Sequence, residues 1–418
     1  MSLALPRSLG WTPRPDRANA GLWAIAGGHA ITHTYPAAFA LLLPFLAKDL
    51  GLTYSQIGLL VAMRQGMSTI VNLPAGMIVD TIGKRNLLMG LALLWAAVPY
   101  LLIAATSNYW VILISMVVVG VGVFLWHPAA ITSISELYPQ QRGYGLALHE
   151  LGASLGDALA PLAAGFLLAY LSWRQVLTAN VVLGLAVVVV IVQVLAHLRR
   201  QRSEMAAKGR SMRAYVAGIR ALLGNANLLM LALVSGIRSL SQNGLSTFLP
   251  LYLIYDLKLP ASLAGVYLAL VQASGMVATP LAGTLSDRVG PKRIATVGML
   301  STSVIVLVFA ALDLGPAFVV VLALMGFFLY SMRPALFRWA IGVVPREYEG
   351  TAVGALFTTQ ALFSTVMPVL GGFLADRYGL LSVFYFVAGA VLVGNLAMLA
   401  VPDLRRPSQA APRLGGRD

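Results

Sequence analysis

Long apolar runs broken by short polar turns dominate the pattern along the chain. They fall near 21–47, 55–79, 87–105, 109–137, 144–171, 174–197, 226–254, 262–286, 294–312, 316–343, 351–375 and 381–401. Each is long enough to cross a hydrocarbon core of about 30 Å as a helix rising about 1.5 Å per residue. The runs are continuous rather than alternating, which excludes the dyad pattern of a membrane β-barrel. Polar turns such as Lys48-Asp49, Ser107-Asn108, Ser172-Trp173-Arg174 and Pro345-Arg346-Glu347 punctuate them. One connection is long, 198–225, and it begins with the basic stretch His197-Leu198-Arg199-Arg200-Gln201-Arg202. The pattern predicts an all-α membrane protein of twelve transmembrane helices. Its parts are a tail over 1–20, a six-helix bundle over 21–197, a linker over 198–225, a second six-helix bundle over 226–401 and a tail over 402–418.

The two bundles repeat one another. Gly76-Met77-Ile78-Val79-Asp80-Thr81-Ile82-Gly83-Lys84-Arg85 returns 207 residues later as Gly283-Thr284-Leu285-Ser286-Asp287-Arg288-Val289-Gly290-Pro291-Lys292-Arg293. Pro44 pairs with Pro250, Asp49 with Asp256, Pro128 with Pro334, Pro139 with Pro345 and Pro161 with Pro368, all at offsets of 206 or 207. Prolines at equivalent depths predict helix breaks or kinks in both halves.

Composition agrees with the pattern. Hydrophobic residues make up 59% of the chain, charged ones 11%, and mean hydropathy is +0.82. A soluble domain is about one-quarter charged, so most of this surface does not face water. Lys and Arg number 21 on the tails, the linker and the turns near 84, 142, 288 and 346, against 4 on the alternate turns. This predicts an inner-membrane protein with both termini and the linker cytoplasmic. The net charge of +14 is then an orientation signal helped by anionic headgroups, and nucleic acid is not an expected partner. Arg7, Arg14 and Arg17 lie in a tail with no apolar run, so no signal peptide is expected. With no cysteine there is no disulfide or thiolate metal site. No Gly-Lys-Ser/Thr phosphate loop and no nucleophile–base set stands out, so neither ATP-driven transport nor an enzyme is expected. A monomer in the bilayer with no cofactor is.

Two six-helix halves with this turn resemble the major facilitator superfamily over essentially the whole chain. The second copy matches that family's cytoplasmic signature closely, whereas Thr81 stands in the first where an arginine is usual. The resemblance implies a gate built on Gly76, Asp80, Gly83, Lys84 and Arg85, and on Gly283, Asp287, Arg288, Gly290, Lys292 and Arg293. Physically, a carboxylate at a helix C-terminus needs nearby cations or a neighbouring helix N-terminus. A paired cluster of that kind can latch the two halves together; the alternative is a turn whose cations only enforce topology. Gly156-Asp157-Ala158-Leu159-Ala160-Pro161-Leu162-Ala163-Ala164-Gly165 is similar to the G-xxx-GP-xx-GG motif of proton-coupled antiporters, with alanine at 160 and 164. Gly152, Gly156, Pro161 and Gly165 are the helix-packing residues there, since small residues at four-residue spacing let helix backbones approach closely. Gly28-His29, Leu52 to Gly58, Trp126-His127-Pro128 and Glu150 to Pro161 resemble the fosmidomycin-resistance efflux subgroup, with Ala129 where that subgroup usually has an acid. That resemblance implies proton-driven export of a small organic compound.

Ionisable groups at membrane depth are costly and mark function. Asp157 lies roughly 20 Å into its helix at about 1.5 Å per residue, near mid-bilayer, and is the expected proton carrier. Glu150, two turns nearer the cytoplasm on the same face, is where protons are expected to join. Arg64, Arg238, Arg333 and Arg338 fall within spans; Arg338 sits near a helix end, where an arginine snorkels. Arg333 occupies the position equivalent to His127, and guanidinium groups bind carboxylate or phosphonate oxygens in pairs. His127, Arg333, Arg64, Arg238, Trp126 and Tyr35 are therefore the expected substrate contacts, for an anionic or polar solute. Arg64 and Arg238 have the alternative role of neutralising Asp157. His29 and His33 form an i, i+4 pair of the metal-binding kind, but no carboxylate or thiolate adjoins them in sequence. A polar lining, with proton transfer at His29, is expected instead of a metal. The expectation is a secondary transporter working by alternating access, most simply a proton antiporter exporting a small organic compound or drug. Proton-coupled uptake of a metabolite and lipid flipping are the alternatives, and a non-transporting sensor has less to explain mid-membrane acids.

Overall fold

A computed structural model describes residues 17–82, 85–199, 224–345 and 348–403. Among these residues there are twelve α-helices and no strand. They are α1 (Arg17–Leu50), α2 (Tyr54–Ile82), α3 (Arg85–Ala105), α4 (Tyr109–Leu137), α5 (Arg142–Leu167) and α6 (Trp173–Arg199) in the first half. The second half has α7 (Ala226–Tyr255), α8 (Ala261–Val289), α9 (Pro291–Ala311), α10 (Pro316–Gly342), α11 (Glu349–Tyr378) and α12 (Leu380–Leu399).

The helix ends follow local chemistry. Asn108 caps α4 by accepting the Trp110 N–H at 2.9 Å, and Asn225 caps α7 by accepting that of Leu228 at 3.1 Å. Proline opens α9 and α10, where the missing N–H has no helical partner to lose. Gly290, at φ +97°, ends α8 in a left-handed conformation that other residues resist. The paired prolines do not break their helices: α1, α4, α5, α7, α10 and α11 run through Pro44, Pro128, Pro161, Pro250, Pro334 and Pro368.

The apolar surface lies outside as well as inside. On α3, Leu87, Leu91, Leu94, Val98 and Leu102 are exposed on one stripe while Leu88, Ala92, Ala96 and Tyr100 are buried on the other. An outward stripe of that kind meets lipid. Among the described residues nine helices are both long and apolar enough to span a membrane. The other three, α2, α5 and α7, are those that carry Arg64, Glu150 and Asp157, and Arg238.

The same five pairings build each half. α1 packs on α5 and α6, α2 on α4, and α3 on α4 and α6; α7 packs on α11 and α12, α8 on α10, and α9 on α10 and α12. The halves meet through the symmetry-equivalent contacts α2–α11 and α5–α8. The small-residue stripe works as its spacing implies. Gly152 and Gly156 lie against the carbonyl oxygens of Ala26 and Ala30 on α1, where a Cβ has no room, and Gly165 lies against that of Ala261 on α8. Pro161 also contributes backbone there, since its carbonyl meets Gly265. This close approach brings α5 and its acids against the α1 histidines.

Candidate functional site

Four of the chain's five histidines gather where α1, α4 and α5 meet. His29 is 1% exposed; its Nδ1 lies 2.7 Å from the His149 carbonyl oxygen, and its Nε2 lies 3.2 Å from His127 Nε2. Its ring stacks on that of His149 at 3.6 Å between centroids. Trp126 donates its indole N–H to His149 Nε2 at 3.3 Å. Gly28 makes room for that indole, since a Cβ on Gly28 would overlap the ring. One turn beyond His29, the His33 Nδ1 lies 3.0 Å from the Asp157 carboxylate. Asp157 thus has a histidine partner from α1 rather than an arginine. Arg64 lies close enough to His33 and Tyr100 to act on both electrostatically.

The opposite wall belongs to the second half. Arg238 on α7 is 2% exposed, donates to Gln242 at 2.8 Å, and has an Nε with no partner. Among the described residues no carboxylate pairs with it. A charge at the centre of a membrane helix costs about 2.5–3.5 kcal/mol on insertion scales, so an unneutralised one calls for a use. Arg333 and Tyr330 on α10 lie within electrostatic reach of Arg238, and Tyr330 donates its hydroxyl to Gln272 on α8. Arg333 also faces the Phe337 ring and lies 4.0 Å from Glu150 across the gap between the halves. That pair is open, at 45% and 60% side-chain exposure. Gln65 on α2 donates to Asn243 on α7 at 3.0 Å, and Asn243 donates to Ser364 on α11 at 2.8 Å, a polar link between the halves.

Two expected contacts are fully buried among the helices. Tyr35 is packed in the core against Tyr100 and Gly184, and Trp126 is fully buried behind His149. Their aromatic rings fill space between helices, which is the commoner use of such residues in a bundle. Sequence reasoning passed over Tyr330, Gln272 and His149. Tyr330 stands three residues before Arg333, one helical turn away, and that spacing was the available signal.

The halves are sealed at one end. There Asp376, on the last turn of α11, accepts the backbone N–H groups of Tyr54 and Ser55 at 2.8 and 2.9 Å, capping α2 from the other half. Gly58 and Gly372 let the two helices touch along the carbonyls of Pro368 and Tyr54, and the Tyr255 hydroxyl donates to the Pro44 carbonyl. The opposite end carries the repeated turns. There Asp287 forms an ion pair with Arg338, and Lys292 donates to the carbonyls of Leu399 and Val401 at 3.0 and 2.6 Å. Arg85 pairs with Glu136. Each of these contacts stays within a single half, and Arg338 is the partner of Asp287. Gly283 packs near Pro334, while Arg288 and Arg293 are exposed. Gly83 and Lys84, with the side chains of Gly76 and Asp80, lie outside the described residues.

Two pseudo-symmetric six-helix bundles, joined at one end through α2 and α11 and carrying polar groups where they face each other, define a class of membrane transporters. The chain belongs to the Major Facilitator Superfamily, whose model matches residues 25–365 and 231–417. It is 26% identical to the probable sulfoacetate transporter SauU of Cupriavidus necator, over 86% of this chain and 88% of that protein. It is 27% identical to the multidrug resistance protein MdtG of Dickeya zeae, over 89% of this chain and 92% of that one. Among solved structures it resembles a bacterial homologue of the human lysosomal transporter Spinster, inward-facing and occupied. The TM-score is 0.77 at 16% identity, over 93% of this chain and 97% of that one. The protein is a multi-pass membrane transporter of small molecules and not an enzyme.

Proposed function

We propose that the protein is a proton-coupled secondary transporter of a small organic anion. The observation that carries this is Arg238, buried and without a carboxylate partner among the described residues, beside an exposed Arg333. Around the cavity Arg64, Arg238 and Arg333 outnumber Glu150 and Asp157, leaving room for one negative charge. A carboxylate or sulfonate meets a guanidinium fork with paired hydrogen bonds, and Tyr330, Gln242 and Gln272 supply further polar contacts. The likeness to a protein named as a sulfoacetate transporter fits that chemistry.

Coupling is assigned to Glu150. Its partner Arg333 sits in the other half, so their pairing depends on how the halves stand, whereas Asp157 and His33 share one half. An incoming anion competes with Glu150 for Arg333, and the displaced carboxylate takes up a proton. Anion and proton then load together, which favours cotransport over the exchange expected from sequence. Asp157, held by His33, acts as an orienting partner in this scheme. With the Lys and Arg excess facing the cytoplasm, the sealed end is external and the cavity faces inward, in a monomer of the inner membrane.

Export by proton antiport is the second reading. The MdtG relatives favour it, as does the likeness of the α1, α4 and α5 motifs to the fosmidomycin-resistance subgroup. Purified protein in proteoliposomes, under an imposed pH gradient and with labelled sulfoacetate and other small carboxylates and sulfonates, separates the two. Cotransport concentrates the anion on the alkaline side and antiport on the acidic side. Movement of neutral or cationic solutes alone would overturn the anion assignment.

A further inference from the structure

We propose that His29, His33 and His127 form a binding site for a divalent first-row transition cation, of the zinc or nickel kind. One ring nitrogen from each lies within 4.8 Å of the others. Zinc–imidazole bonds of about 2.0–2.1 Å in a tetrahedron place ligating nitrogens roughly 3.4 Å apart. His29 and His127 already stand at that spacing, 3.2 Å between their Nε2 atoms, where an ion would displace the proton that His127 donates to His29. The His33 ring centroid lies 4.8 Å from that of His29, so ligation would require His33 to turn toward the pair while its Nδ1 stays on Asp157.

The hydrogen bonds around the rings match what a metal needs. A carbonyl oxygen only accepts, so His29 donates its Nδ1 proton to His149, which leaves the lone pair of a neutral ring on Nε2. His33 commits its Nδ1 proton to Asp157 in the same way. Ligating histidines bind metals with one nitrogen while the other donates to a carbonyl or carboxylate, which fixes the tautomer and raises the ligand's basicity. The ring of His29 is also held still by His149, itself anchored by Trp126. The absence of adjoining ligands in sequence had argued against a metal. Folding supplies a third ligand from α4, and from α5 the acceptors that hold two of the rings.

The donor set selects the ion. Neutral imidazoles suit zinc, nickel, cobalt and copper, whereas magnesium and calcium take oxygen ligands. His33 and His127 are only partly buried, so a fourth position opens to water in the cavity. A bound ion would tie α1 to α4 directly and to α5 through His149 and Asp157, stiffening the first half without bridging to the second. The site stands on its own geometry and does not depend on the anion assignment.

The test uses the full-length protein in detergent at neutral pH, stripped with chelator and titrated with Co²⁺ alone. The expected result is one equivalent bound, with visible ligand-field bands that Zn²⁺ displaces and with X-ray absorption at the zinc edge reporting three imidazoles. Asp157→Asn should weaken binding by about 10- to 100-fold. His33→Gln with His127→Gln should abolish saturable binding while the protein still elutes as the wild type does. Less than one equivalent, fewer than three imidazoles, or full binding by the double variant would overturn the proposal. The wild-type absorption measurement decides the matter even where the variants do not fold.

Discussion

Asp376→Ala removes the cap that one half places on the other. Both lost hydrogen bonds, from Tyr54 and Ser55 at 2.8 and 2.9 Å, join the bundles, so they exist only while that end is closed. An N-cap contributes about 0.5–2 kcal/mol and a carboxylate at a helix N-terminus about 0.3–1 kcal/mol. The contact is open to water, which places the sum near the low end, at about 1.4 kcal/mol. That is about a tenfold fall in the ratio of closed to open forms. The chain has no cysteine, so Tyr170→Cys and Leu314→Cys, exposed on opposite halves near this end, can carry spin labels with no background to remove. Pulsed dipolar spectroscopy on the labelled pair should show a longer-distance population growing at the expense of the shorter one. Asp376→Asn, which keeps one acceptor oxygen, should fall between. A population ratio unchanged within about twofold in Asp376→Ala would refute the idea that this cap holds the end shut.

Three other expectations follow from the cavity and its packing. Glu150→Gln should lose uptake driven by a pH gradient while keeping solute counterflow, and Asp157→Asn should keep both; the reverse pattern would return the carrier role to Asp157. Arg238→Gln should raise the half-saturating anion concentration by about 30-fold, because one charge-assisted hydrogen bond contributes about 2 kcal/mol; an unchanged value in a transport assay would remove Arg238 from the site. Gly156→Val should destabilise the first half by about 1–3 kcal/mol or more, since the added carbons meet the α1 backbone at Ala30. Thermal unfolding followed by tryptophan fluorescence measures that loss, and a wild-type midpoint would contradict the packing.

The helices were legible in sequence because a membrane leaves few choices for an apolar run. The spans expected at 55–79 and 316–343 emerge as Tyr54–Ile82 and Pro316–Gly342. Gly152 and Gly156 were legible as well, since small residues at a fixed spacing have few other uses. The site was only half visible. His127 and Arg333 stood out as polar groups at equivalent depths; the structure sets the first against His29 and the second opposite Glu150. The pairing of Asp157 with His33 depends on how α5 packs on α1, which no spacing within either helix reports. Tyr35 is buried beside Tyr100, and a sequence cannot separate packing from binding for an aromatic ring, which serves both. Asp376 was invisible for a different reason: its partners are backbone N–H groups, which carry no side-chain signature.

The central claim, that an anion and a proton enter together through the Arg238 and Arg333 cavity, has a direct measurement. Proteoliposomes holding a pH-sensitive dye, with equal pH on both sides, receive an external pulse of a transported carboxylate or sulfonate. Cotransport predicts that the lumen acidifies as the anion enters, and that Glu150→Gln abolishes the acidification. A lumen that turns alkaline, or labelled anion entering with no change in dye signal, would contradict it.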